Sequence, residues 1–262
     1  MLTQKELKRY SSFAVDTARE AGEIIHGMSR RRHRIILKGR VDLVTEADLA
    51  SEKFVTTAIN KKFPEHSILA EEEAAHERSS DLRWVVDPLD GTTNYAHNFP
   101  FYCVSIALEY RGEIVVGAIF DPERKEMFNA FKGGGAFLNG KRMKVSPETK
   151  LERSLLATGF PYDIGTSNND NLRHFRRFMK KSRAVRRAGS AALDLCYLAC
   201  GRFDGFWELK LHPWDTAAGE IMVEEAGGKV TDFQGRKYSI YGKCILASNG
   251  HIHNVMKKIL AE

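Results

Sequence analysis

Apolar positions near the start of the chain recur at helical spacing. Leu7, Tyr10, Phe13, Ala14, Ala21, Ile24 and Ile25 fall mainly on one stripe, behind Thr3 and Glu6 spaced as a capping box. The stripe ends at Gly27 and the basic run 30–34. A second helix is predicted over 48–62, with Phe54, Val55, Ala58 and Ile59 inward and Pro64 as its stop. The texture then turns to short apolar runs at 67–70 and 84–86, each followed directly by acidic residues. Segments 101–110 and 113–120 are β-rich and meet at Arg111-Gly112, which reads as a hairpin. Runs 125–131 and 135–138 continue that meander to the turn Asn139-Gly140.

Beyond Val145 the pattern changes again. A strand is predicted at 155–158, a loop into a basic helix over 168–180, and a helix over 190–200 closed by Gly201. A strand follows at 205–211, then a helix over 215–226 closed by Gly227-Gly228. Helices mixed with a long antiparallel meander imply layered α/β architecture rather than a purely parallel sheet. No repeat or low-complexity linker divides the chain.

Composition narrows the function classes. The 262 residues, 43% hydrophobic, are enough to bury a large core and exclude extensive disorder. No apolar stretch approaches the ~18–20 residues of a membrane span, and the N-terminus lacks a secretory apolar run, so a cytoplasmic address is expected. Lys and Arg exceed Asp and Glu, 40 to 34, for a formal charge of +6. The excess is clumped at 30–34 and 173–187. Neither clump sits in a recognisable nucleic-acid module, so both read as solvated faces and nucleic acid is not an expected partner. Cys103, Cys196, Cys200 and Cys244 are too few and scattered for a disulfide framework or a zinc site, and read as buried, reduced thiols.

Chemistry concentrates in Trp84-Val85-Val86-Asp87-Pro88-Leu89-Asp90-Gly91-Thr92-Thr93-Asn94. A buried strand ends at Asp87, Pro88 stops the ladder, and a tight turn brings Asp90 to the same side. Paired carboxylates suit Mg²⁺, and a helix opening at Gly91-Thr92-Thr93 would aim backbone N–H groups at an anion beside it. A bare Asp-x-x-Asp-Gly is more often a cap and a turn. The Glu71-Glu72-Glu73 run after another apolar strand, and Asp215 opening an apolar helix, have equally plain readings as a solvated helix start and an N-cap. Together, however, Glu71, Asp87, Asp90 and Asp215 carry four negative charges that cannot pack unpaired, and two divalent cations would neutralise them.

At this point the residues match a known pattern. The chain resembles the inositol monophosphatase family of Mg²⁺-dependent, lithium-sensitive phosphatases. The resemblance rests on Asp42-Leu43-Val44-Thr45-Glu46-Ala47-Asp48, the segment 68–72, the segment 84–95, and a fourth stretch. That stretch runs from Arg187-Ala188-Gly189-Ser190-Ala191-Ala192-Leu193-Asp194 through Phe206-Trp207-Glu208 and His212-Pro213-Trp214-Asp215 to Glu225-Ala226-Gly227-Gly228. One departure is Ala70, where the family commonly has Gly; the acid at Glu72 is retained.

The resemblance implies an α+β (α/β) layered sandwich of alternating helix and sheet layers with a largely antiparallel sheet. It further implies one catalytic unit, 1–262, with subdomains at 1–145 and 146–262. Glu71, Asp87, Asp90, the Leu89 carbonyl and Asp215 are the implied ligands of two Mg²⁺ ions. Gly91 and Thr92 are the implied phosphate donors, and the Thr92 hydroxyl helps orient the attacking water. Thr45 and Asp48 support that water and a weaker third metal. Glu208, with the backbone at Ser190 and Ala191, reads the alcohol, beside Asp90. The implied substrate is a small phosphate ester, most simply inositol 1-phosphate, and the implied assembly a homodimer. Fructose-1,6-bisphosphatase and histidinol-phosphate phosphatase remain alternatives on the same fold, and a regulatory RNA- or protein-binding role is the alternative of another class.

Strand alternation adds an expectation of its own. It puts Glu208, Lys210 and His212 on one face, so that Lys210, with Arg187, opens the pocket to a second phosphate. The plain alternative is a solvent-facing lysine on an edge strand. His97 and His212 are expected in pocket-wall or structural roles, and His251 and His253 at the surface.

Overall fold

A computed structural model describes residues 2–29, 35–37, 43–72 and 75–262. The basic run 30–34, Asp42 and Glu73 lie outside the described residues. Seven helices order the described chain: α1 Gln4–Met28, α2 Glu46–Lys62, α3 Thr92–Ala96, α4 Leu172–Lys181, α5 Ala191–Ala199, α6 Pro213–Glu225 and α7 His253–Ala261. α1 begins where its capping box places it. The Glu6 N–H donates to the Thr3 hydroxyl, and the Glu6 carboxylate accepts from the Thr3 N–H at 2.7 Å. Thr3→Ala is expected to lower the unfolding free energy by about 1 kcal/mol in urea denaturation, leaving the slope unchanged.

Two sheets alternate with helical layers. A seven-stranded sheet runs in chain order from Ser67–Ala70 through Leu82–Asp90, Cys103–Tyr110, Glu113–Asp121, Glu126–Phe131 and Gly135–Leu138 to Lys141–Arg142. Its first pair is parallel and the others antiparallel. The turns at Arg111-Gly112 and Asn139-Gly140 adopt the doubly left-handed conformation that matches strand twist, with φ 53° and 79° in the first and 48° and 76° in the second. α1 and α2 cover one face, burying Trp84, Val86, Ile106, Val116 and Phe120. α5 and α6 cover the other, burying Val85, Ala107, Ile119 and Phe128. Because both faces are covered, the strand reads as a continuous apolar run rather than an alternating one.

The second sheet is mixed, in the spatial order Ala184–Arg186, Leu155–Thr158, Gly205–Leu209, Cys244–Ser248, Lys229–Thr231. It backs onto α5 and α6 on one side, and on the other packs Trp207, Leu246, Phe178 and Met256 under α4 and α7. The result is five layers, helix–sheet–helix–sheet–helix. The strands Ala184–Arg186, Lys229–Thr231 and Cys244–Ser248, and α7, carry no pattern strong enough to predict. They are short, and their partners lie far along the chain.

Three expectations are corrected. The strand at Asp87 does not stop at Pro88 but runs to Asp90 through a register shift, and its ladder resumes as Asp90 opposite Cys103. A proline in a sheet interior is tolerated where such a bulge removes its ladder position. The strand 205–211 ends at Leu209, and it is central in its sheet, not an edge. His253 is buried (1% exposed), with its ring nitrogens 2.9 Å from the Thr231 and Ser248 hydroxyls, and burial holds its pKa down at about 4. Its position at the start of an amphipathic helix, facing the second sheet, was invisible without knowing that the helix exists.

Candidate active site

A cleft of about 290 Å³ opens between the C-terminal ends of Ser67–Ala70 and Leu82–Asp90 and the N-termini of α3, α5 and α6. The bulge at Pro88 shapes its floor. The Leu89 N–H donates to the Asp87 carboxylate at 3.0 Å, and the Ser51 hydroxyl of α2 donates to the Pro88 carbonyl at 2.8 Å. These two bonds fix the turn so that Asp87 and Asp90 face the same opening. Asp215 arrives as the third residue of α6, where its carboxylate accepts the His212 N–H. One oxygen each of Asp87, Asp90 and Asp215 can be chosen so that all three lie within 4.8 Å of one another. Glu71 lines the same cleft, and the Glu72 N–H beside it is held by buried Glu52 of α2 at 2.9 Å.

The electrostatics of this cluster follow from its crowding. Burial and the charges of Glu71, Asp90 and Asp215 push Asp87 well above the usual carboxylate range. Asp215 is driven up by burial and Asp90. Asp90 rises to about 6 through burial, restrained by the Ser190 hydroxyl and the Ala192 N–H, both donating to it at 2.7 Å. The amide is one of the orphan donors of the α5 N-terminus. Acidic groups that resist ionisation together, presenting only hard oxygens, fit a divalent cation such as Mg²⁺.

A chain of hydroxyls and one buried acid stands behind the cluster. The Thr92 hydroxyl contacts Asp48 at 3.0 Å and the Leu89 carbonyl at 2.9 Å. The other Asp48 oxygen accepts from the Thr45 N–H at 2.9 Å and the Thr45 hydroxyl at 2.6 Å, completing the capping box of α2. Burial raises the Asp48 pKa, and these bonds restrain the rise. Gly91 precedes α3 at φ 97°, and a Cβ there would meet the Phe101 carbonyl at 2.9 Å. Only glycine suits that conformation and that space. Gly91, Thr92 and Thr93 line the cleft next to Asp90.

The far half of the cleft is acidic and aromatic. Glu208 is buried, and burial and the Asp90 charge raise its pKa to about 8. Its carboxylate lies against the Cα of Gly159, where a Cβ would fall 2.0 Å from it. Asp194, on α5 beneath the cleft, was missed as a pocket residue. It is buried with Oδ1 unbonded, and burial and Glu208 hold it well above the usual range. Its place inside an apolar helix, after Leu193, was the available signal. Phe160, Pro161 and Tyr162 also line this half and were not singled out.

Ser190 and Ala191 line the cleft, and the Ser190 hydroxyl is engaged on Asp90. Lys210 departs from the strand reading. It stands beyond the last strand residue at φ 59°, and its ammonium donates to Asp163 at 2.6 Å and Ser167 at 2.8 Å. Lys210 nonetheless lines the cleft together with Glu208 and His212, although it stands past the strand end rather than within the strand. His212 lines the cleft and stacks on Trp214 with centroids 4.9 Å apart. Cys103 and Cys196 are buried, Cys200 and Cys244 half-buried, and burial pushes all four thiols up, so none is poised as a nucleophile.

A sequence model of the inositol monophosphatase family matches residues 6–262. The chain is 44% identical over 245 residues to the Nus factor SuhB of Pseudomonas aeruginosa, covering 91% of this chain and 90% of that one. It is 40% identical to inositol monophosphatase 3 of Solanum lycopersicum, with both chains covered in full. Among solved structures, the inositol monophosphatase from Anabaena superposes with a TM-score of 0.90 at 42% identity, covering 98% of this chain and 96% of that one. No helix among the described residues is long and apolar enough to cross a membrane.

Proposed function

The chain belongs to the inositol monophosphatase family, and we propose that it hydrolyses inositol 1-phosphate at the cleft floored by Asp87, Asp90 and Asp215. It is a phosphoric monoester hydrolase. The observation that carries the assignment to this cleft is the approach of those three carboxylates within 4.8 Å, beside the start of α3. Glu71, Asp87, the Leu89 carbonyl, Asp90 and Asp215 would hold two Mg²⁺ ions, with a weaker third near Thr45 and Asp48. When bound, such ions lower the pKa of water and neutralise a leaving alkoxide.

The chain's own groups do the rest. The Gly91 and Thr92 amides grip the phosphate oxygens. Thr92, fixed between Asp48 and the Leu89 carbonyl, holds the attacking water in line, and Glu71 accepts its proton. Thr45 keeps the Asp48 carboxylate turned toward Thr92. Glu208 and the backbone at Ser190 and Ala191 read the hydroxyls of the alcohol. Residues 1–145 and 146–262 act as one catalytic unit, since each lines part of the cleft. The same reading includes a homodimer, a cytoplasmic enzyme and inhibition by lithium.

A phosphate-release screen over inositol 1-phosphate, fructose 1,6-bisphosphate and histidinol phosphate, with Mg²⁺ or EDTA, tests this. The expected result is Mg²⁺-dependent release, fastest for inositol 1-phosphate. Release that persists in EDTA overturns the metal reading, and a preference for either other ester moves the substrate. The Pseudomonas relative's name, Nus factor, points to the regulatory alternative. Salt-dependent RNA binding without phosphate release would favour it.

A further inference from the structure

Lys210 holds a backbone conformation that L side chains rarely adopt. Its φ of 59° is fixed from both sides, by the strand Gly205–Leu209 before it and by its own N–H on the Lys243 carbonyl at 2.9 Å. Glycine takes this region freely, whereas a lysine there is strained. Such strain persists where the surrounding structure or the role of the side chain demands it. Its ammonium reaches across the cleft mouth to Asp163 and Ser167.

Those two residues belong to segment 159–171, a compact loop whose ends are pinned together. The Asn171 side-chain amide donates to the Gly159 carbonyl at 2.7 Å and the Thr158 hydroxyl at 2.9 Å, and its oxygen accepts from the Trp207 indole at 2.8 Å. Phe160 is braced edge-on against Phe175 of α4, with centroids 5.4 Å apart. Toward the tip, turns close on the Pro161 and Asp163 carbonyls. Tyr162 lies 60% exposed and lines the cleft beside Glu208 and Lys210. Residues 159–162 of the loop thus line the half of the cleft that holds Glu208, and Lys210 ties that loop to the end of the strand Gly205–Leu209.

We propose that Lys210 is a positioning residue that latches the 159–171 loop over the alcohol half of the cleft, holding Tyr162 against the ring of a compact polyol ester. The assignment of that half to an alcohol rests on the phosphatase reading above. The latched loop acts on substrate retention and leaves the chemistry at the acidic cluster alone, so its signature is a change in KM without a matching change in kcat.

The test compares wild type, Lys210→Gly and Lys210→Arg in two measurements. Lys210→Gly removes the tether and also the backbone strain, so the fold is not endangered. In hydrogen exchange of the metal-free protein, amides of 160–168 are expected to exchange several-fold faster in Lys210→Gly and at near the wild-type rate in Lys210→Arg. With inositol 1-phosphate and Mg²⁺, an exposed ion pair of this kind sets the expected KM rise at roughly two- to fivefold, with kcat inside about twofold. Unchanged exchange in Lys210→Gly overturns the latch whatever the kinetics show. Faster exchange with unchanged KM, or with KM and kcat impaired together, overturns its role in substrate retention. A complete lack of hydrolysis in wild type overturns the phosphatase reading and the retention role with it, while exchange still decides the latch.

Discussion

Asp90→Asn is expected to lower kcat for Mg²⁺-dependent hydrolysis of inositol 1-phosphate by roughly 10³-fold, about 4 kcal/mol of transition-state stabilisation. Asparagine keeps the shape of the side chain, and its carbonyl oxygen can still accept from the Ser190 hydroxyl and the Ala192 N–H. What disappears is one negative charge from a cluster where Asp87 and Asp215 lie within 4.8 Å. The fold should survive, and the metal-free protein should gain stability, because Asp90 contributes to the repulsion that raises Asp215. Single-turnover phosphate release checks the loss of turnover, and circular dichroism and thermal unfolding check the fold and its stability. Turnover near the wild-type value would end the assignment of this cluster to the metals.

The stabilisation by Mg²⁺ is expected to grow with pH. Asp90 has its pKa raised by burial from 3.8 to about 6, and Asp87 and Asp215 move in the same direction. A raised carboxyl pKa favours folding fully below the unfolded value, and that contribution is lost as pH climbs through the folded one. For Asp90 alone the window is about pH 4 to 6, and the full shift corresponds to about 3 kcal/mol. Asp90 and Asp215 keep an edge open to the cleft, so water screens part of this and roughly half is a fairer expectation. The metal-free protein should therefore lose stability from pH 5 to pH 8. Mg²⁺, which binds the ionised cluster and only weakly the unfolded chain, should restore it. Melting temperatures at both pH values, in EDTA and in saturating Mg²⁺, measure this. An equal Mg²⁺ increment at pH 5 and pH 8 would contradict it.

Much of the local structure was legible because local chemistry decides it. The Thr3 and Glu6 box starts α1, and the residue pairs Arg111-Gly112 and Asn139-Gly140 make their turns. The motif 84–95 announced its carboxylates, since Pro88, Gly91 and the flanking apolar run are all local signals. The failures are equally local in appearance and non-local in cause. Pro88 reads as a strand end, yet the Ser51 bond from α2 and the pairing of Asp90 with Cys103 carry the strand past it. Lys210 reads as a strand residue, yet its N–H is drawn to Lys243 and its side chain to Asp163.

By itself, the order of residues determined which acids were available, that they were oxygen donors, and that helices and strands would layer with both sheet faces covered. Periodicity and turn chemistry operate within a few residues, and a reader of the chain can apply them directly. Only the tertiary structure decided how closely Asp215, from a helix far downstream, approaches Asp87 and Asp90, that Asp194 is trapped beneath Glu208, and that His253 turns inward. Side-chain direction across such separations is set by how layers pack, and packing is a property of the whole molecule rather than of any stretch of it.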